Sequence, residues 1–356
     1  MNIFEEMERY GHEQVVFCYD APTGLKAIIA IHDTSLGPAA GGCRMYPYPS
    51  EEHALRDVLR LSAGMTLKNA AAGLDLGGSK CVLWGDPSTE KSEAYLRAFG
   101  RFVETLGGRV TTGCDVGTKP QDFVCCGRET SHLCSLPIEY GGSGDTGPLT
   151  ALGVLMGMKA AAKWVWGSDS LRGKRVVIQG VGKVGYALLS HLIDEGATCI
   201  ITDLDPKNME ATRKEFPDIE TVDVDAIFDV PCDIFSPNAM GAILNAKTIP
   251  RLKCSIIGGS ANNQLAEPGD MALITKRGIL YCPDFVINAG GVIQVADECR
   301  GYNKERALSR VWEIYERLLA IFQEHRDKGI STQEAAVSYA ERRIRNTRAL
   351  SKIYVP

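Results

Sequence analysis

Residues 175–186 read RVVIQGVGKVGY, an apolar run that leads into a glycine-rich turn. The run over 175–179 predicts a β-strand, and the segment 185–195 has the apolar spacing of a helix. Three glycines of the turn match the spacing G-x-G-x-x-G: Gly180, Gly182 and Gly185. Glycines at this spacing allow a tight turn and let a pyrophosphate approach the backbone at the N-terminus of the helix. The stretch therefore predicts a strand, a turn and a helix that bind a dinucleotide.

An acidic residue at the end of the next predicted strand supports this interpretation. Asp203 closes the run 199–203 and stands 18 residues after Gly185, near the spacing at which a carboxylate receives the ribose hydroxyls. A glycine turn without a ligand is the alternative, and the position of Asp203 argues against it. A carboxylate here repels a 2′-phosphate and so favours NAD over NADP, although Lys183 and Lys207 are close enough in sequence to help a phosphate bind.

Further short apolar runs follow at regular distances. They are predicted strands, with helical or loop segments between them, over 199–203, 233–236, 255–258 and 279–282. Strands in this rhythm indicate a parallel sheet that is covered on both faces. The second half is therefore predicted to be a doubly wound, Rossmann-type domain.

The first half of the chain also alternates strands and helices. The apolar runs and their turns predict, in order, a hairpin over 15–33, a helix that begins at Ser50, a strand over 80–84, a helix over 90–106 and a strand over 109–113. This alternation indicates an α/β fold. A chain of 356 residues exceeds the usual size of one domain, and the glycine-rich stretch 140–148 is the expected hinge between two domains.

The composition argues against several classes of partner and site. A net charge of −5 gives no excess of basic residues for nucleic acid or an anionic membrane. The start lacks the pattern of a secretory leader, so we expect a cytoplasmic protein whose partners are small molecules and copies of itself. The twelve cysteines include no C-x-x-C pair and no Cys/His cluster at zinc-ligand spacing, so we expect reduced thiols and no metal site.

Three charged residues occupy unusual positions in the first half. Lys80 follows Gly-Gly-Ser at the start of a predicted strand, Asp115 follows a predicted strand, and Lys68 lies in the stretch GMTLKNAAA. Each alone is most simply exposed or paired. Two ammonium groups in one desolvated cleft lower each other's proton affinity, so one can act as a general base while the other binds a carboxylate. His32 is given a structural role rather than a catalytic one.

The chain resembles the leucine/phenylalanine/valine dehydrogenase branch of the amino-acid dehydrogenases. The resemblance extends over nearly the whole chain and is closest to the phenylalanine enzymes. The resemblance rests on six stretches: AIIAIHDTSLGPAAGGCRM (27–45), GMTLKNAAAGLDLGGSK (64–80), TTGCDVGT (111–118), IQGVGKVGY (178–186), GGSANNQL (258–265) and PDFVINAGGVIQVADE (283–298). It implies NAD-dependent oxidative deamination of an L-amino acid to a 2-oxo acid and ammonia. It also implies a homo-oligomer built on dimers, with an octamer as one possibility.

The resemblance implies a domain organisation and a set of site residues. The substrate-binding and oligomerisation domain would span 1–138 plus 332–356, and the Rossmann domain 139–331. Lys80 would activate water, Asp115 would exchange protons with the amino nitrogen, and Lys68 would bind the substrate carboxylate. Substrate-binding residues would be Ala40, Gly41, Gly42, Lys68, Gly113, Asn262, Val292 and Val295. Cofactor-binding residues would be Thr150, Gly180, Gly182, Lys183, Val184, Gly185, Asp203, Ala239, Ala261, Asn262 and Asn288.

The residues of the side-chain pocket lead us to expect an aromatic substrate. Small residues at Ala40 and Gly113 leave volume that a ring fills better than an isobutyl group, although Val292 follows the aliphatic pattern. The alternatives are a leucine-preferring enzyme and a non-catalytic NAD-binding homologue. Two departures from the family pattern concern the site: Ser79 replaces a usual glycine and is expected either to narrow the lysine loop or to bond Lys80, and Asn238 makes the nicotinamide side less secure.

Overall fold

The chain folds as two compact units. In the computed structural model, which describes residues 2–352, unit 1 comprises residues 2–144, 295–303 and 340–352, and unit 2 comprises residues 145–294 and 304–339. The boundaries expected from the sequence lie at 138/139 and 331/332. No sequence pattern indicated that residues 295–303 pack with unit 1.

Unit 1 contains a mixed β-sheet flanked by helices. Its strands are β1 (Gln14–Asp20), β2 (Leu25–Asp33), β3 (Ala39–Tyr46), β4 (Gly77–Trp84) and β5 (Val110–Cys114). Its first helices are α1 (Ile3–Tyr10), α2 (Glu51–Ala71), α3 (Glu93–Glu104) and α4 (Pro120–Cys126). The strand order is β1-β2-β4-β3-β5. The pairs β1–β2 and β2–β4 are antiparallel, whereas β4–β3 and β3–β5 are parallel.

The hairpin and the helix start predicted from the sequence are confirmed. Strand β1 pairs with β2 along its full length, from Gln14↔Ile31 to Asp20↔Leu25. The Ser50 hydroxyl accepts the backbone N–H of His53 at the start of α2. Strand β3 was not predicted, because the pair Gly41-Gly42 in its middle lacks the side chains that favour a strand. Pairing with β4 and β5 on both sides imposes the strand there.

The sheet of unit 1 is covered on both faces. Helix α2 packs on one face through a cluster that includes Val58, Leu59 and Val82. Helices α3 and α4 cover the other face through a second cluster that includes Phe99 and Phe123. Strand β4 is therefore buried along nearly all of its length, which explains the apolar run over 81–84 that follows Lys80.

His32 has a structural role, as expected, and it lies beside a second buried histidine. Its Nδ1 lies 2.7 Å from Thr66 Oγ1 and its Nε2 lies 2.7 Å from the backbone carbonyl of Tyr10. The His12 ring packs edge-on against it with the centroids 4.8 Å apart, and His12 Nε2 lies 2.7 Å from Ser62 Oγ. Burial, aided by the charge that His32 would carry, lowers the pKa of His12 from 6.5 to about 4.

We expect His12 to make the protein less stable as the pH falls. Between pH 6.5 and about 4 the unfolded chain binds a proton at this residue that the folded chain does not. The free energy of unfolding should therefore fall by up to about 3 kcal/mol through this group, and nearly all of the loss should occur below about pH 7. Urea unfolding at pH 7.5 and at pH 5 checks this, with His12→Asn as the comparison. Equal losses in the two proteins would contradict it.

Unit 2 contains a parallel sheet. Its strands are β6 (Arg175–Gln179), β7 (Thr198–Thr202), β8 (Glu220–Thr221), β9 (Ile234–Pro237), β10 (Ile256–Ile257) and β11 (Leu280–Tyr281). The helices from here on are α5 (Gly147–Trp166), α6 (Lys183–Asp194), α7 (Pro206–Glu215), α8 (Asp270–Lys276), α9 (Asp284–Ile287), α10 (Gly290–Glu298), α11 (Lys304–Lys328) and α12 (Thr332–Arg348). The last part of α10, from residue 295, and the last part of α12, from residue 340, belong to unit 1.

The strand order of unit 2 is β11-β10-β9-β6-β7-β8, with every pair parallel. This is the order of a doubly wound dinucleotide-binding sheet, in which the strand order reverses between β6 and β9. The predicted Rossmann-type domain is confirmed. Helices α5 and α6 pack against each other on one face of the sheet. On the other face, strand residues that include Val177, Phe235 and Ile257 form part of a hydrophobic cluster.

None of the helices described between residues 2 and 352 is long and apolar enough to cross a membrane. All twelve cysteines are free thiols.

Candidate active site

Lys80 and Asp115 form a buried ion pair in unit 1. Lys80 Nζ lies 2.6 Å from Asp115 Oδ2, and Lys80 is only 6% exposed. The two residues come from β4 and from the end of β5, and β3 lies between these strands. Gly42 of β3 has no side chain to separate them: a Cβ there would lie 2.9 Å from Asp115 Cβ and 3.3 Å from Lys80 Nζ. Gly42 thus makes room for the pair.

The glycines before Lys80 bring helix α2 close to the sheet. A Cβ at Gly78 would lie 2.1 Å from Thr66 Oγ1 and 2.3 Å from Thr66 N. Gly78 and Lys80 are two residues apart in β4, so both face α2. Ser79 faces the other way, and its buried hydroxyl has no hydrogen-bond partner among the described residues. Of the two alternatives expected for Ser79, the bond to Lys80 is therefore wrong.

Asp115 has a second cationic neighbour, which the sequence analysis missed. Arg44 Nε donates to Asp115 Oδ2 at 3.3 Å, the same oxygen that contacts Lys80. Burial disfavours the ionised carboxylate of Asp115, but Lys80 and Arg44 outweigh that effect, so its pKa lies below the ordinary value. The sequence signal for this contact was the charged Arg44 between two apolar residues, Cys43 and Met45. In the structure both of these neighbours are fully buried.

Lys68 lies near the end of α2 and is half-buried. The next residue, Asn69, is fully buried and holds this end of the helix against the sheet. Its Nδ2 donates to the carbonyl of Gly77 at 2.6 Å and to that of Ala40 at 3.3 Å. Asn69 therefore fixes α2 beside the strand that carries Gly41 and Gly42.

The volume expected at Gly113 is filled. A Cβ there would lie 2.7 Å from Ser135 Oγ and from the carbonyl of Cys134, and 2.8 Å from Cys134 Sγ. Glu298 holds the segment behind Gly113, because its carboxylate accepts the backbone N–H of Ser135 at 2.7 Å and that of Ser143 at 2.8 Å. The expectation that Gly113 leaves room for a substrate ring was therefore wrong. The other small residue of the expected pocket, Ala40, is buried, with 8% of its surface exposed.

Two other expected pocket residues lie on α10. Val292 and Val295 are both half-buried. Val292 belongs to unit 2 and Val295 to unit 1.

The fingerprint of unit 2 has the geometry that its glycines predict. Gly180 follows β6 with φ +93°, a conformation that favours glycine. A Cβ at Gly185 would lie 1.9 Å from the carbonyl of Gly180, whereas a Cβ at Gly182 would meet no atom within 4 Å. Gly182 therefore leaves open space at the N-terminus of α6, where a pyrophosphate can approach the backbone. Val184 is half-buried in the first turn of α6, and the Lys183 side chain is 81% exposed.

Asp203 lies directly after β7, next to the fingerprint. Its Oδ2 accepts the backbone N–H of Val181 at 2.8 Å and the Nδ2 of Asn208 at 3.2 Å. Its Oδ1 accepts the backbone N–H of Asp205 at 2.8 Å. These bonds fix the carboxylate at the carboxyl edge of the sheet, as binding of ribose hydroxyls requires.

The remaining expected cofactor residues follow β9 and β10, lie in α5 or lie in the turn between α9 and α10. Ala239 packs on Gly180. A Cβ on Gly180 would lie 2.8 Å from Ala239 Cβ. Asn262 is exposed, and its Oδ1 accepts the Nδ2 of Asn288 at 2.8 Å. Asn288 is 4% exposed, and no described residue bonds its Oδ1. A buried acceptor of this kind fits the amide donor of a nicotinamide.

Three further residues complete this side of unit 2. Ala261 is buried. Thr150 lies in α5 and packs against Gly291 of α10. A Cβ on Gly291 would lie 2.8 Å from Thr150 Oγ1. Asn238, the departure noted in the sequence, donates to the backbone carbonyl of Ser236 at 2.9 Å and accepts the N–H of Ser260 at 2.8 Å. Asn238 therefore joins the ends of β9 and β10.

No group of three or more His, Cys, Asp or Glu side chains in residues 2–352 could hold a metal ion. The ionisable pair of unit 1 and the dinucleotide-binding sheet of unit 2 are features that a dehydrogenase with a nicotinamide cofactor requires.

Comparisons with known proteins identify the family. Residues 12–132 match the model described as "Glu/Leu/Phe/Val dehydrogenase, dimerisation domain", and residues 141–205 and 201–352 match "Glutamate/Leucine/Phenylalanine/Valine dehydrogenase". The chain belongs to this family and is an amino-acid dehydrogenase, an oxidoreductase that acts on CH–NH₂ donors.

Relatives with different names are about equally similar. A leucine dehydrogenase of Thermoactinomyces intermedius is 52% identical, covering 97% of this chain and 94% of the relative. A phenylalanine dehydrogenase of the same organism is 50% identical, covering 99% and 96%. The crystal structure of L-tryptophan dehydrogenase from Nostoc punctiforme has a TM-score of 0.88 at 44% identity, covering 98% of this chain and 100% of that one.

Proposed function

We propose that this chain catalyses the reversible, NAD-dependent oxidative deamination of a hydrophobic L-amino acid. The substrate ammonium form, NAD⁺ and water give the 2-oxo acid, NH₄⁺, NADH and a proton. The observation that supports this most directly is the buried Lys80–Asp115 pair, 2.6 Å apart, in a chain whose other unit has the dinucleotide-binding sheet.

The proposed roles of the charged residues follow from their contacts. Lys68, the backbone of Gly41 and Gly42, and Asn262 bind and orient the substrate carboxylate. Asp115, held ionised by its cationic neighbours, accepts a proton from the substrate amino group. When bound, the nicotinamide accepts the hydride from the substrate Cα.

Lys80 then serves as the base for water. Asp115 first releases the proton that it took from the amino group. Lys80 then passes its own proton to Asp115 across their short contact and takes one from the water that attacks the substrate carbon. Asp115 returns its proton to the nitrogen and takes the hydroxyl proton as the carbonyl forms, and the departing ammonia picks up that proton as NH₄⁺. The burial of Lys80 keeps other water from competing for this proton.

NAD is the proposed cofactor rather than NADP. Asp203 presents a carboxylate where a 2′-phosphate would have to lie, and three hydrogen-bond donors hold it there. The open side of Gly182 at the start of α6 fits a pyrophosphate. The ribose would bind at Asp203, and the nicotinamide would lie near Thr150, Ala239, Ala261 and Asn288.

The preferred side chain is proposed to be phenylalanine or another bulky aromatic residue, on the basis of Ala40. A leucine-preferring enzyme is the second candidate, and the filled space behind Gly113 favours it. The named relatives do not decide between the two, because leucine, phenylalanine and tryptophan dehydrogenases are all similar to this chain.

Initial-rate assays with phenylalanine, tryptophan, leucine and valine, each with NAD and with NADP, test the proposal. We expect NADH production with the highest kcat/KM for an aromatic substrate and a preference for NAD. The highest kcat/KM for leucine would replace the aromatic preference with the aliphatic one. No NADH from any amino acid by a protein that still binds NAD would overturn the enzymatic function.

We also propose that the enzyme is a dimer-based homo-oligomer of the cytoplasm, with an octamer as one candidate for its size. The match of residues 12–132 to a dimerisation domain supports self-association, and twelve free thiols agree with a reducing compartment. Light scattering of the purified protein measures the copy number.

A further inference from the structure

Arg44 connects the proposed proton-transfer pair to a second charged group on α2. Its Nε donates to Asp115 Oδ2 at 3.3 Å, and its Nη1 donates to Asp57 Oδ2 at 2.9 Å. The side chains of Arg44, Asp57 and Asp115 are all three-quarters buried or nearly so. One guanidinium therefore joins two carboxylates from different elements of the fold.

Asp57 is itself firmly held. The Tyr48 hydroxyl donates to Asp57 Oδ2 at 2.6 Å, and Arg60 donates to Asp57 Oδ1 at 2.9 Å. Burial opposes ionisation of Asp57, but these donors and Arg44 outweigh it, so its pKa lies below the ordinary value. A charged anchor with both oxygens bonded keeps the Arg44 side chain in one orientation.

Asp57 lies 11 residues before Lys68 in α2. This distance is about three helical turns, so both residues lie on the same side of the helix. The helix that carries the proposed carboxylate-binding lysine thus also carries the anchor for Arg44.

We infer that Arg44 is a positioning residue that keeps the Asp115 carboxylate ionised and oriented toward Lys80 during proton transfer. The inference rests on the proposed function. Arg44 binds the same oxygen of Asp115 as Lys80 does, so its charge acts on the proton that the two residues share. Loss of this charge would make Asp115 hold its proton more tightly.

The charged groups around Asp115 determine in which direction the loss of Arg44 changes proton binding by this carboxylate. Lys80 of β4 and Arg44 of β3 contact the carboxylate directly, Cys114 precedes it on β5, and Asp57 with Arg60 on α2 lies beyond Arg44. Arg44 also borders a cavity of about 710 Å³, together with Tyr46, Tyr48, Asp57, Arg60 and Val116. Water in this cavity can replace a lost side chain but not its charge.

The test is the pH dependence of kcat/KM for oxidative deamination in Arg44→Gln. We expect the acidic limb to move upward by about one pH unit, because a unit charge this close to a partly buried pair contributes on the order of 1 kcal/mol or more. Activity below the limb should fall about tenfold and recover as the pH is raised. Arg44→Lys, which keeps the charge, should restore the limb.

Arg56→Gln is the matched control. Arg56 borders the same cavity but pairs with Glu52 and is 65% exposed, so the same loss of charge should leave the limb in place. A limb in Arg44→Gln that does not move, or a loss by the same factor at every pH, would overturn the inference. If circular dichroism shows that Arg44→Gln does not fold, Arg44→Met replaces it.

The outcomes separate the two proposals. An active wild-type enzyme with an unmoved limb in Arg44→Gln refutes only the role of Arg44. A wild-type protein that produces no NADH from any L-amino acid refutes the proposed function and this inference with it.

Discussion

Replacement of Lys80 by methionine is expected to lower kcat by at least about 10³-fold, the scale of a lost general base, while NAD binding stays nearly unchanged. Methionine keeps the length and apolar contacts of the side chain in β4 but cannot contact Asp115 as the Nζ does at 2.6 Å. The proposed cofactor residues belong to unit 2, so the dissociation constant for NAD should not follow the loss in kcat. Steady-state kinetics and NAD titration measure the two effects separately.

Lys91→Met is the control for Lys80→Met. Lys91 Nζ lies 2.7 Å from Asp122 Oδ2, and both side chains are largely buried, so this variant loses a similar ion pair elsewhere in unit 1. We expect it to keep its kcat. Turnover by Lys80→Met within about tenfold of the wild type would refute the proposed role of Lys80.

A methyl group at Gly78 is expected to destabilise unit 1 and to impair catalysis. The Cβ of Gly78→Ala would lie 2.1 Å from Thr66 Oγ1 and 2.7 Å from the carbonyl of Ser62, so α2 must move away from the sheet. Overpacking of this kind costs about 1–3 kcal/mol. Because α2 carries Lys68 two residues after Thr66, we expect the KM for the amino acid to rise as well. Urea unfolding and substrate titration measure the two effects.

Gly64→Ala tests the same substitution in the same helix without the clash. A Cβ at Gly64 would meet no atom within 4 Å, and alanine is the better helix former by about 1 kcal/mol. We expect this variant to be slightly more stable than the wild type, with normal KM. If Gly78→Ala behaves like Gly64→Ala, the contact between α2 and β4 is not as tight as the geometry indicates.

Unit 2 was the more predictable part of the fold. Its strands are short apolar runs separated by helices, and the fingerprint with Asp203 fixes the position of the first two. In unit 1, β3 was missed because Gly41 and Gly42 weaken its sequence pattern. The surrounding strands, which are distant in sequence, determine its conformation.

The contacts of the candidate site were harder to predict than its residues. Lys80 and Asp115 stand out through their glycine-rich surroundings, but the bond between Arg44 and Asp115 joins residues 71 positions apart and depends on the pairing of β3 with β5. Gly113 was misjudged for a related reason. A glycine indicates free space only when no other residue occupies the place of the missing side chain. At Gly113, Cys134 and Ser135 occupy that place.

The discontinuity of unit 1 determines the order in which the chain can complete its fold during synthesis. Arg343 binds the Asp75 carboxylate at 2.7 Å, and Arg348 binds Asp33, so residues made early in synthesis receive these partners from α12. All of unit 2, which ends at residue 339, is synthesised before Arg343 and Arg348. The first sheet of the nascent dehydrogenase therefore lacks these two partners until residues 343 and 348 have been made.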